Sequence, residues 1–235
     1  MRSEMERRKM IARLLFEQSG TFKKAFKKNG IEAFDYDIQN EFEQTDFQID
    51  LFEEIQKAFE GGQSVFDKFN QEDIVIAFFP CTRFEARIPL TFRGESYQQK
   101  NWTDEKKLLY SMKLHKELDY LYQRLCELVI VCIRKGLKLI IENPYTQPHY
   151  LTTYWCIKPR IIDKDRRING DHYKKPTQYF FINCEPKNKL IWEPIEFVEQ
   201  KNIETVKKGN TSSCQTERSM IHPQYADRFI RHYVL

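Results

Sequence analysis

Three short apolar runs stand out along the chain, and each stops abruptly at a polar or turn-forming segment. Met10–Phe16 (MIARLLF), Asp73–Phe78 (DIVIAF) and Leu137–Ile141 (LKLII) read as buried strands, the second apolar throughout and hence covered on both faces. Ile31–Tyr36 reads as a further strand ending in Asp37, and Phe47–Leu51 as a short extended segment. Between these runs the apolar period lengthens to that of a helix. Gly20–Asn29 reads as a helix ending at Gly30, with Phe22, Ala25 and Phe26 on one face and Lys23, Lys24, Lys27 and Lys28 outside. Leu51–Glu60 reads as a helix closed by Gly61-Gly62. Asp104–Lys135 reads as a long helix, capped by Thr103 and stopped by Gly136.

Strand and helix therefore alternate, which predicts an α/β fold: a Rossmann-like, doubly wound, mainly parallel sheet. The segment Thr82–Asn101, with Pro89 and Gly94, reads as a long loop of the kind that is usually functional or mobile. After Tyr145 the pattern loosens. Gln178–Asn183 and Leu190–Trp192 read as late strands, Ile195–Asn210 carries no clear element, and Pro223–Tyr233 reads as a terminal helix. We expect residues 1–155 to form the cofactor-binding and catalytic core. Residues 156–235 then complete the sheet and add a small basic substrate-contacting region, within one domain overall.

Composition narrows the class without naming a function. At 235 residues, 41% hydrophobic and 14% aromatic, the chain has ample material for a folded core, and aromatics to spare for stacking on planar ligands. The longest apolar run, Leu128–Ile133, is stopped by Arg134-Lys135, far short of a membrane span. Met1–Lys9 is charged with no apolar stretch behind it, so no secretory segment is expected. The cysteines at 81, 126, 132, 156, 184 and 214 form no CxxC pair and no zinc-type spacing. No metal is expected, and free thiols fit a reducing cytoplasm. The net charge of +4 is mild, but residues 31–72 hold twelve acids against two lysines, and residues 157–190 nine Lys/Arg against four acids. Such a basic stretch reads equally as a phosphate-contacting region and as a solvated polar face.

Three segments follow apolar runs and so share the rim of the sheet where open α/β folds bind ligands. In the first, Glu17, Ser19, Gly20 and Thr21 fill the turn between a strand and a helix, where glycine permits close backbone approach. Asp37 closes the second strand, where an acid can bind ribose hydroxyls, and Asp50 is placed to reach an adenine amino group. One glycine is too few for a pyrophosphate, so a ligand with adenosine and no phosphate, such as S-adenosyl-L-methionine, fits better than NAD. In the second segment Pro80 aims Cys81 at the rim. The thiol reads either as a nucleophile, its pKa lowered by a helix N-terminus or by Arg83 or Arg87, or as a small buried hydrophobe. In the third, Glu142-Asn143-Pro144, Glu142 reads either as a proton-handling carboxylate or as a capping or salt-bridging acid.

The order of these motifs resembles the cytosine-C5 DNA methyltransferases, in particular their short, phage-borne branch. The likeness rests on Glu17-x-Ser19-Gly20, Asp37, Pro80-Cys81 and Glu142-Asn143-Pro144, and covers roughly residues 11–183. Gly170-Asp171-His172-Tyr173-Lys174-Lys175-Pro176-Thr177 and Arg218-Ser219-Met220-Ile221-His222-Pro223 are similar to later stretches of that family. The resemblance implies a class I methyltransferase fold and cytoplasmic action in a bacterial or phage-infected cell. It also implies S-adenosyl-L-methionine held by Phe16, Glu17, Ser19, Gly20, Thr21, Asp37, Asp50, Leu51 and Pro80. Cys81 would then attack C6 of a flipped-out cytosine in DNA while Glu142 bonds the ring. Substrate contacts would come from Arg83, Asn143, Pro144, Arg160, Arg166, Arg167, Lys174 and Lys175. Phe79 stands where the family usually has proline, Pro144 where its larger members have valine, and no Gln-x-Arg-x-Arg occurs. Two alternatives stay open: a catalytically inactive nucleic-acid or protein-binding module, and an N6-adenine or N4-cytosine methyltransferase, whose Asn-Pro-Pro-Tyr is partly matched by Asn143-Pro144-Tyr145.

Overall fold

The computed structural model describes residues 9–85, 88–201 and 219–235. Its sheet contains β1 (Ile11–Leu15), β2 (Glu32–Asp37), β3 (Phe47–Gln48), β4 (Ile74–Phe78), β5 (Lys138–Pro144), β6 (Ile161–Asp163) and β7 (Thr177–Ile182), in the order β3-β2-β1-β4-β5-β7-β6. The strands β1 to β5 pair in parallel, and β7 is inserted antiparallel between β5 and β6. The chain winds outward from β1 to β3, returns to β4 at the centre, and then winds the other way. The switch point therefore lies between β1 and β4.

Alternate strand residues face opposite layers, so both faces of the sheet are apolar. Leu15, Val75, Ala77, Leu139 and Ile141 pack under α2 (Leu51–Phe59) and α4 (Asp104–Lys135). Ala12, Leu14, Ile74, Ile76 and Ile140 pack under α1 (Thr21–Lys28) and the C-terminal helix Pro223–Phe229. The charge inside β1 is neutralised on the spot: Arg13 Nε lies 3.0 Å from Asp73 Oδ2, and its Nη1 donates to the Tyr36 hydroxyl at 3.0 Å. The cap read for α4 is present, with Lys106 N donating to Thr103 Oγ1 at 3.3 Å and Gly136 at φ 65° closing the helix.

The later chain departs from its apolar pattern. Two short helices, α3 (Ile88–Phe92) and α5 (Tyr150–Tyr154), and the three-residue β6 are too brief to leave a period in the sequence. Leu190–Trp192 is not a strand: the backbone just before it bonds to the C-terminal turn instead, Lys187 N to Tyr233 O at 2.9 Å and Lys189 N to His232 O at 2.8 Å. The C-terminal helix Pro223–Phe229 (α6) continues as a wider π-turn through Val234. Arg87, residues 202–210 and Arg218 of the Arg-Ser-x-Ile-x-Pro stretch lie outside the described residues. No helix among those described is long and apolar enough to cross a membrane.

Candidate active site

A cleft of about 510 Å³ opens at the carboxyl ends of β1, β2, β4 and β5, over the switch point. All three rim segments line it: Glu17, Ser19 and Thr21 after β1, Pro80 and Cys81 after β4, and Glu142 and Pro144 on β5. Phe16, Asp37, Asp50, Leu51 and Lys175 complete that group of sequence-predicted residues. The cleft also takes Ser219–Ile221 of the Arg-Ser-x-Ile-x-Pro stretch, together with Ile38, Phe52 and Phe78, which carry no motif and were not anticipated. Only Phe52 left a signal, as an apolar residue one position into α2 beside Asp50.

The first turn is built around Glu17. Phe16 adopts a left-handed φ of 59°, a strained conformation for an aromatic residue, and so swings Glu17 toward the cleft. One Glu17 oxygen accepts hydrogen bonds from the Ser19 hydroxyl and, at 2.9 Å, from Thr21 N. The other, Oε2, is buried, and the Asp35 carboxyl lies within hydrogen-bonding reach of the Glu17 side chain. Gly20 is held at φ 68°, and a Cβ there would come within 3.1 Å of the Gln44 side chain. Beneath the turn, Lys23 Nζ lies 2.9 Å from Asp35 and 3.1 Å from Asp46. Burial and the neighbouring Glu17 carboxylate push the Asp35 carboxyl up to about 8. Burial also raises Asp37, whose carboxylate accepts from Gln39 N at 2.8 Å. Asp50 caps α2 by accepting from Phe52 N at 2.9 Å.

On the other side of the cleft, Asn143 is fully buried and donates to Phe79 O at 3.0 Å. It thus ties the end of β5 to the peptide that leads into Pro80-Cys81, a scaffolding contact rather than an open one. The Phe79 ring packs 5.3 Å from Phe16 and 5.9 Å from Phe52, which fixes the approach to Pro80-Cys81. Glu142 is 7% exposed, and its Oε1 is buried with no partner among the described residues.

The surroundings of Cys81 fit the buried-thiol reading better than the lowered-pKa one. Its thiol donates to Glu85 Oε1 at 3.4 Å, while Arg83 turns away to Glu117, Nε to Oε2 at 2.7 Å. No helix starts at Cys81, since α3 begins only at Ile88. Burial and the Glu85 carboxylate push the thiol up to about 12, against a lowering by Lys175. The group is a thiol at neutral pH, not a thiolate. Replacing Glu85 by Gln removes the nearest negative charge, and is expected to speed alkylation of Cys81 by iodoacetamide at pH 8 several-fold, read by peptide mass spectrometry; an unchanged rate would remove Glu85 from this account.

The basic candidates divide. Lys175 lines the cleft, whereas Arg83, Arg160, Arg166, Arg167 and Lys174 do not. Arg160 pairs with Glu185 at 2.7 Å on the surface, and Arg167 Nε donates to Asp165 at 2.9 Å. Arg166 is completely buried, bound to Asp171 through Nε at 2.5 Å and stacked 4.8 Å over the Tyr225 ring. These pairings, invisible as a run of positive charge, keep Arg166 inside the fold.

The strand order, the antiparallel β7 and the cleft at the switch point define a Rossmann-like α/β fold with a mainly parallel, doubly wound sheet. No family model and no curated protein matches the chain. Among solved structures it is similar to the methyltransferase EhMeth of Entamoeba histolytica, at 14% identity and a TM-score of 0.38, over 87% of this chain. The chain spans 62% of the length of that protein. Among the described residues, no group of three or more His, Cys, Asp or Glu side chains is arranged to hold a metal ion.

Proposed function

We propose that this protein is an S-adenosyl-L-methionine-dependent DNA methyltransferase acting on C5 of cytosine. The observation that carries the reading is the meeting of Cys81, Glu142 and Glu17 in one cleft, where Glu142 keeps a buried oxygen without a partner among the described residues. Buried acceptors of this kind call for donors from a ligand. Glu17 suits the ammonium of the methionine part, Asp37 the ribose hydroxyls, and Ile38 and Phe52 the faces of adenine. The cofactor, when bound, supplies an electrophilic methyl group.

The residues of the chain account for the rest. Cys81 must lose its proton before its sulfur can add to C6, and Glu85, already accepting from the thiol, is the carboxylate in reach. Glu142 accepts from the exocyclic amine of cytosine and holds a proton at the ring nitrogen, so that addition at C6 places electron density on C5. After methylation, loss of the C5 proton expels the Cys81 sulfur and restores the ring. Lys175 lines the same cleft and offsets charge at the sulfur.

DNA carrying 5-fluorocytosine tests this directly. Wild-type protein with cofactor is expected to form a covalent adduct stable to denaturation, and Cys81→Ser none. Nucleosides from treated DNA should contain 5-methylcytosine; N-methylated bases in its place would overturn C5 chemistry. The protonated state of Cys81 favours one second reading, a binding module that has kept the cleft without the reaction. It predicts cofactor-independent DNA binding that is indifferent to Cys81→Ser and falls steeply with salt.

A further inference from the structure

A second cavity, of about 360 Å³, lies beside the Cys81 loop between α3, α4 and α5. Its walls carry Phe84, Phe92, Tyr150 and Tyr154, with Arg83 and Arg93 among the lining residues. Tyr150 lies 6.0 Å from Phe84 at 26° and 5.0 Å from Tyr154 at 50°. The cavity is tied to the cleft by backbone: Phe84 N donates to Cys81 O at 2.8 Å, and Tyr150 N to Phe84 O at 3.0 Å.

His149 also lines this cavity and is 1% exposed. Its tautomer follows from its neighbours. Thr152 Oγ1 donates to Gln178 Oε1 at 3.3 Å, which turns the amide nitrogen of Gln178 toward Pro144 O at 2.9 Å and His149 Nδ1 at 3.4 Å. With Nδ1 accepting, the proton of the neutral ring sits on Nε2. Burial holds the imidazole down to about 4, so the ring stays neutral. Nε2 is buried and has no partner among the described residues. A donor without an acceptor is left at the wall of an aromatic cavity.

We propose that this cavity is a subsite for an unpaired nucleobase next to the cytosine bound in the cleft, stacked on Tyr150 and Tyr154 and accepting a hydrogen bond from His149 Nε2. A base supplies what the walls ask for: a flat π-face and an acceptor on its edge. The size falls within the usual range of small-ligand sites. The proposal rests on the nucleic-acid reading of the cleft.

Full-length protein is titrated with oligonucleotides, single-stranded and duplex, holding one cytosine and 2-aminopurine at each neighbouring position in turn. Wild-type protein is expected to quench the probe at one position by stacking. Tyr154→Ala, at a residue 69% exposed, is expected to lose that quench and bind about tenfold more weakly while melting with the wild type. An abasic site at the quenched position should weaken the wild type equally and leave Tyr154→Ala no worse. Binding with no quenching at any position, or equal affinity of Tyr154→Ala, would overturn the subsite while leaving the cleft reading intact. Failure of the wild type to bind either form of DNA would overturn both.

Discussion

Replacing Asp171 by Asn is expected to destabilise the protein by about 3–5 kcal/mol, because it strands the Arg166 guanidinium as an unpaired charge in the interior. Both side chains of this pair are fully buried. Asp171 also accepts from His172 N at 2.6 Å and from His222 N at 3.4 Å, while Arg166 lies against Tyr225 of α6. The pair thus holds the β6–β7 connection against the C-terminal helix. For a chain of this length the loss corresponds to a fall in Tm on the order of 10 °C, measurable by thermal melting. Exchanging both partners, Arg166→Met with Asp171→Leu, should recover much of it, because buried ion pairs gain little over apolar residues of similar volume. Arg160→Ala, which breaks a pair more than half exposed on both sides, should cost about 1 kcal/mol or less. If Asp171→Asn melts with the wild type, the structural role of Arg166 is wrong and the arginine returns to the substrate candidates.

On the proposed C5 chemistry, Glu142→Gln is expected to slow methyl transfer by about 10²- to 10⁴-fold while leaving the fold intact, since the amide is isosteric but cannot hold or release the ring proton. The carboxylate is buried opposite Tyr179 in the β5–β7 register, and its charge reaches both Cys81 and Arg166. That reach gives a second readout with its own sign. Glu142 raises the Cys81 pKa, so the amide should make the thiol more reactive toward iodoacetamide even as methyl transfer falls. Opposite movements would separate a role in handling the base from a role in tuning the sulfur. A methylation rate within twofold of the wild type would remove Glu142 from the chemistry.

Much of the sheet was readable from the chain because a parallel strand covered on both faces must be apolar at nearly every position. DIVIAF and LKLII have no solvent face to encode, so β4 and β5 stand out. The rim residues then follow from strand direction, and Glu17, Cys81 and Glu142 do meet in one cleft. Beyond Tyr145 the strands are short or antiparallel at the edge, and β6, with three residues, has no period to detect. Leu190–Trp192 shows the converse, an apolar triplet whose neighbouring backbone bonds to the chain end instead of to the sheet.

What the sequence determined by itself is the order of elements, the α/β class and the residues delivered to the rim, because periodicity and turn chemistry are local properties. The tertiary structure alone decided where each charge finds its partner. Arg166 and Arg167 are neighbours in a basic run, yet one is buried on Asp171 and the other is half-buried against Asp165. Arg83, two residues from Cys81, turns to Glu117, and Glu85 takes the place beside the thiol. Electrostatic effects depend on distance and burial, not on separation along the chain, and so the protonation of the proposed nucleophile could be read only once the loop around it was folded.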